Sequence, residues 1–98
     1  MPVARVTIEL EIPGAHSLKD RRQVLRSMKD KLRHAFNLSI AELDSGAILN
    51  RATLGIAVIS SSTSYLTGQL ELIDQAIYRM ATTLSAEVTD SYAEILAD

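Results

Sequence analysis

The sequence contains no cysteine and no tryptophan, and only four of its 98 residues, one Phe and three Tyr, are aromatic. The absence of cysteine excludes disulfides, thiolate nucleophiles and cysteine-based zinc sites. No stretch approaches the ~18 apolar residues of a membrane helix, and the amino terminus lacks a basic segment followed by an apolar run. These absences predict a cytoplasmic protein without a membrane partner.

The rest of the composition is that of a globular domain. Hydrophobic residues make up 47% of the chain and charged residues 22%, which excludes the disordered and low-complexity classes. A chain of this length buries enough surface for one core but not for two. We therefore predict a single domain over residues 1–98.

The first third of the chain predicts a strand followed by a helix. Apolar and polar residues alternate over residues 3–12, the period of a half-buried strand. Over residues 17–36 the apolar residues gather on one helical face. Ser17, three residues before Asp20, suits the N-terminal cap, and Asn37 suits the C-terminal cap.

The remainder predicts three more strands and one more helix. Residues 38–43 form a short strand, and residues 52–60 are an almost continuous apolar run, as in a central strand. Apolar residues then recur at helical spacing over residues 66–84, after a hydroxyl-rich segment that supplies the helix cap. Residues 87–96 are moderately strand-like.

The order βαββαβ predicts a ferredoxin-like α+β fold. Right-handed crossovers place both helices on one face of a four-stranded antiparallel sheet, giving a two-layer sandwich. The other sheet face has no helix to cover it. It should carry Arg5, Thr7, Glu9 and Glu11 in water or against a partner.

Three segments, residues 14–25, 36–44 and 51–55, resemble the YlxP-like family, a bacterial family of unknown function. The resemblance implies a ferredoxin-like fold and a gene neighbourhood often shared with ribosome-binding factor A and translation initiation factor genes. It implies no activity and no catalytic residue. Between the second and third segments, the family usually has a tryptophan and an acidic or polar residue where this chain has Leu49 and Ala47.

Charge is distributed unevenly along the chain. Residues 17–36 contain seven basic and two acidic residues, a formal charge of +5, and the remaining residues contain three basic and ten acidic residues, a formal charge of −7. At ~100° per residue, five of the basic residues fall within a wedge of about 80° that contains no acidic residue. This basic stripe consists of Lys19, Arg22, Arg26, Lys29 and Arg33.

The stripe has two interpretations. It is a solvated helix face, or it binds phosphates. Like charges at helical spacing repel, and cations in the first turn oppose the helix dipole, so a stripe kept for stability alone is disfavoured. We therefore predict that it contacts the phosphates of structured RNA, ribosomal RNA or a ribosomal particle, through Ser17, Lys19, Arg21, Arg22, Arg26, Lys29 and Arg33.

Base stacking is not expected, because strands one and three carry no aromatic residue. Phe36 and Tyr92 are interpreted as packing residues. Glu42 and Asp44 share a strand face, where a paired Glu42 and a turn-capping Asp44 are favoured over a cation site. No metal or cofactor is predicted.

The remaining alternatives concern catalysis and association. His16 and His34 lack a partnered nucleophile or ligand set, so the protein is predicted not to be an enzyme. The alternative function is a homo-oligomeric interaction module with an acidic protein partner, which includes the chain's own acidic remainder. A homodimer would form across the open sheet face or through a second apolar strip on helix two, which consists of Tyr65, Leu72 and Ala76.

Overall fold

The computed structural model describes residues 1–96, and its elements follow the predicted order. They are β1 (Val3–Glu11), α1 (Leu18–Ala35), β2 (Ser39–Glu42), β3 (Arg51–Ile59), α2 (Thr63–Thr83) and β4 (Glu87–Leu96). The sheet order is β2-β3-β1-β4, and every neighbouring pair is antiparallel. The ferredoxin-like α+β fold is therefore confirmed. Neither helix in the described residues is long and apolar enough to cross a membrane.

Strand β1 lies at the centre of the sheet and fixes the register of both neighbours. It pairs with β3 from Val3 opposite Ile59 to Glu11 opposite Arg51. On its other side it pairs with β4, with an irregularity in the register after Glu9. Because directly opposed residues share a sheet face, one row of side chains can be followed across all four strands.

The core lies between the sheet and the two helices. Alternate residues of β1 and β3 point toward the helices and are buried, as the period of two predicts. On α1 the buried apolar residues are Leu25, Met28 and Leu32, and on α2 they include Leu66 and Ile73. Burying this apolar surface is the main driving force for folding.

Both helices begin at a serine that caps them. The Ser17 hydroxyl accepts a hydrogen bond from the Asp20 amide at 3.1 Å, and the Ser62 hydroxyl accepts one from the Tyr65 amide at 3.2 Å. The expected C-terminal cap Asn37 is wrong by one residue. Helix α1 ends at Ala35, and its C-cap is Phe36, which adopts an extended backbone with φ −139° and packs partly buried against the core.

The Ser17 cap can be tested by substitution. Ser17→Ala should lower the free energy of unfolding by about 1 kcal/mol, because the Asp20 amide loses its acceptor. Ser17→Asp should keep most of the stability, since a carboxylate caps the helix and complements its dipole. Urea denaturation followed by circular dichroism measures both, and equal losses in the two variants would contradict the capping role.

Candidate functional site

Arg21 is the one buried charged residue in the described part of the chain, with 4% of its surface exposed. Its Nη1 donates to Glu42 Oε1 at 3.1 Å, its Nη2 to Asp44 Oδ1 at 2.8 Å and its Nε to the Arg51 carbonyl at 3.3 Å. The guanidinium therefore joins α1 to β2, to the loop after β2 and to the start of β3. Arg21 is unavailable as a phosphate contact, contrary to expectation.

The loop between β2 and β3 is folded around this guanidinium. Asp44 Oδ2 accepts from the Thr53 amide at 3.0 Å, so this carboxylate holds both Arg21 and β3. Gly46 adopts a positive φ of 75°, and a Cβ there would lie 3.2 Å from Arg21 Nη1. The loop thus needs glycine at this position. The predicted pairing of Glu42 is confirmed. The predicted turn-capping role of Asp44 is wrong: its carboxylate holds Arg21 and the Thr53 amide of β3, and within the turn the Ser45 hydroxyl accepts from the Ala47 amide at 3.3 Å.

Two residues of the basic stripe also attach α1 to β2. Lys29 Nζ lies 3.1 Å from Glu42 Oε2, so Glu42 bridges Lys29 and Arg21. Arg33 Nη2 donates to the Ile40 carbonyl at 3.1 Å, and its Nη1 lies 3.8 Å from Asp30 Oδ1. Arg33 thus satisfies a backbone acceptor on the edge strand β2, which protects that edge from pairing with another chain.

The remaining basic residues of α1 are free at the surface. Lys19, Arg22, Arg26 and Lys31 are exposed, and within residues 1–96 none has a hydrogen-bond or ion-pair partner. Three of them belong to the stripe, and we call Lys19, Arg22 and Arg26 the free cations.

An open groove of about 400 Å³ runs beside the free cations, between α1 and β2. Its lining residues are Arg22, Leu25, Arg26, Lys29, Asp30, Arg33 and Glu42. Two carboxylates therefore lie within the groove, although the helical wheel predicted a stripe without an acidic residue. A helical wheel of α1 alone could not place Glu42, because this residue belongs to β2.

The start of α1 is occupied by its own acidic side chain. Ser17 is engaged as the cap, and Asp20 Oδ2 accepts a hydrogen bond from the His16 amide at 3.1 Å. Neither the His16 nor the His34 imidazole has a hydrogen-bond partner in residues 1–96, and both residues are exposed. The described residues contain no group of three or more acidic, histidine or cysteine side chains arranged to hold a metal ion.

The helix-free face of the sheet carries the four residues predicted for it, and Tyr92 is among the further residues there that sequence reasoning missed. The side chains of Arg5 and Glu94 pair across β1 and β4 on this face. Tyr92, interpreted from sequence as a packing residue, lies opposite Thr7 and is exposed, so that interpretation is wrong. Tyr92, Glu94 and Leu96 are alternate residues of β4, and this spacing in the sequence already indicated that they share one sheet face. On α2, Ala76 is buried, while Tyr65 and Leu72 stay exposed.

Comparison with known proteins places the chain in a family. Residues 3–92 match the model of a family described as "Protein of unknown function (DUF503)". The chain belongs to this family. It is 39% identical over 54 residues to "Uncharacterized protein YlxP" of Bacillus subtilis (strain 168), a match that covers 55% of this chain. The match spans 59% of that curated relative's length.

Solved structures agree on the fold alone. A putative antibiotic biosynthesis monooxygenase from Deinococcus radiodurans is similar with a TM-score of 0.60 at 16% identity, over 100% of this chain and 92% of the other. A dimeric ferredoxin-like protein of unknown function from Thermobifida fusca is similar with a TM-score of 0.55 at 16% identity, with the same coverage. These identities are too low to transfer an activity to this DUF503 protein.

The structural role of Arg21 predicts that substitutions of two neighbouring arginines have very different effects on the free energy of unfolding. Arg21→Met should lower the free energy of unfolding by about 2–4 kcal/mol, because Glu42 and Asp44 lose their shared cation. Arg22→Met should change it by less than about 0.5 kcal/mol, since Arg22 has no partner to lose. Urea denaturation measures both, and similar values would show that Arg21 does not hold the loop.

Proposed function

We propose that this protein is a non-enzymatic, cytoplasmic factor that binds the phosphates of ribosomal RNA through the free cations of α1. The observation that carries the proposal is the lack of any partner for Lys19, Arg22 and Arg26 within residues 1–96. In a chain of net charge −2, three unpaired cations on one helix face are an uncompensated repulsion, which an external anion would relieve.

The geometry supports backbone contacts rather than base readout. Lys19, Arg22 and Arg26 follow one another at three- and four-residue spacing, so they lie on one face of the helix. No aromatic side chain lines the adjacent groove to stack a base. Binding should therefore depend on phosphate charge and RNA shape, with little sequence preference.

Lys29 and Arg33 play a different part in this proposal. Because they are held by Glu42 and by the Ile40 carbonyl, they add positive potential to the groove rather than direct contacts. Arg21 contributes no phosphate contact, because it is buried. The proposed contact set is therefore smaller than the sequence indicated.

Cosedimentation with purified bacterial ribosomal subunits at low salt tests the proposal. The wild type should pellet with a subunit, and the double variant Arg22→Glu, Arg26→Glu should stay in the supernatant. Each phosphate contact adds about 0.7–0.9 to the slope of log affinity against log salt, so three contacts predict a slope of about −2 to −3.

The control is a variant with the same change in net charge placed elsewhere. Lys31 lies on α1 outside the stripe and Arg79 lies on α2, and both are exposed without a partner in the described chain. The variant Lys31→Glu, Arg79→Glu should bind like the wild type. If both double variants lose binding equally, the effect is one of net charge, and the proposed site is wrong.

The alternative is a protein-interaction module whose basic helix docks an acidic protein. Four carboxylates, those of Glu9, Glu11, Glu87 and Asp90, lie at one end of the helix-free sheet face. Since α1 lies in the opposite layer, docking α1 of one copy onto this end of another is a head-to-tail contact. Such association would weaken with salt and compete with RNA for α1.

A further inference from the structure

The helix-free sheet face exposes large apolar side chains that nothing in the described chain covers. The exposed fractions are 59% for Leu43, 58% for Ile59, 60% for Tyr92 and 43% for Leu96. The cross-strand register places the last three on this face, and Leu43 lies across it over Gly55. A cluster of exposed apolar side chains on one face is typical of an interaction surface.

A groove of about 300 Å³ crosses the same face between β2 and β3. Ala41, Gly55 and Ala57 line its floor, and Arg5 and Leu43 stand beside them. Leu43 lies so close to the sheet that a Cβ on Gly55 would be 2.9 Å from its side chain. The small residues of β2 and β3 leave a depression that Leu43 partly covers at Gly55, and Tyr92 projects from β4 on the other side of β1.

We propose that this face is the interface of a symmetric dimer, in which Tyr92 of each copy enters the groove of the other. One cross-strand row runs Tyr92, Thr7, Gly55, Ala41, with the large side chain at one end and two small residues at the other. A two-fold axis parallel to β1 exchanges the two ends of the row. The Tyr92 side chain of each copy then meets the groove of the other copy, as an isologous interface requires.

One charge pair favours a second copy as the occupant, and the carboxylates near the axis oppose it. Glu87 and Arg51 lie on either side of Glu11 in one cross-strand row, so the same rotation brings Glu87 of each copy toward Arg51 of the other. Glu9 and Glu11 lie on β1, close to the axis, so each of them approaches the same residue of the other copy. Added salt should screen this repulsion and strengthen the dimer.

The available area predicts a weak dimer. The four strands lie about 4.8 Å apart and contain nine, four, nine and ten residues, and with a rise of about 3.3 Å per residue they present a face of about 510 Å². Two such faces bury about 1,000 Å², at the lower limit for a specific interface. Association should therefore depend on protein concentration.

Sedimentation equilibrium over a range of protein concentrations tests the interface. The wild type should dimerise, more strongly at high salt, and Tyr92→Ser should raise the dissociation constant about tenfold or more. Ala57→Arg, which fills the groove, should do the same. Tyr78→Ser, which removes an exposed tyrosine from α2, is the matched control and should leave the dissociation constant unchanged.

Single cysteines give a second measurement, because the chain has none of its own. Under mild oxidation Thr7→Cys should form a covalent dimer faster than Tyr78→Cys, since Thr7 lies beside the proposed axis. A wild type that stays monomeric at all concentrations would overturn the proposal. An unchanged dissociation constant in Tyr92→Ser, or equal cross-linking by both cysteines, would do so as well.

The dimer does not depend on the RNA proposal. The two surfaces lie in opposite layers of the fold, so the double variant Arg22→Glu, Arg26→Glu should dimerise like the wild type. Conversely, Tyr92→Ser should still pellet with ribosomal subunits. Binding of a small apolar molecule or a nucleic acid base to the groove of a monomeric wild type would show that the face has another occupant, and would count against the dimer.

Discussion

The hydrogen bonds and ion pairs of the Arg21 guanidinium are the interaction on which the arrangement of the surface between α1 and β2 depends. A buried cation is costly unless its donors are satisfied. Here they reach Glu42, Asp44 and the Arg51 carbonyl, in three different segments of the chain. Because no single segment could satisfy Arg21, its burial ties α1, β2, the loop and β3 into one unit. The position of β2 beside α1, and with it the basic groove, follows from this contact.

This contact also changes the meaning of the basic helix. Cations in the first helical turn oppose the helix dipole, and from the sequence Lys19, Arg21 and Arg22 all break that rule. The ion pairs of Arg21 explain its position without any ligand. Lys29 and Arg33 are likewise engaged with β2 and its neighbourhood. The cations of α1 that have no partner in the described chain are therefore fewer than the sequence indicated.

The two layers of the fold present surfaces of different chemistry. The helix layer carries the free cations of α1, and the sheet layer carries apolar side chains with carboxylates at one end. In the two proposed interactions salt should act in opposite directions, because it would screen the attraction between the cations and phosphate and the repulsion between the carboxylates of facing copies. Because the two surfaces lie in opposite layers, the two proposed interactions would not compete for the same side chains.

The sequence by itself determined the element order, the ferredoxin-like fold, the serine cap of α1, the hydroxyl-rich start of α2 and the residues that face the core. These depend on local periodicity and capping, which a short window of sequence contains. Only the tertiary structure decided which cations are free and which side chains meet on the open face. Arg21 and Arg22 are neighbours of the same charge, and one is buried while the other is exposed. Tyr92 and Gly55 are far apart in the chain, and only β1 brings them into one row. Local sequence cannot encode either result, because the partners come from other segments.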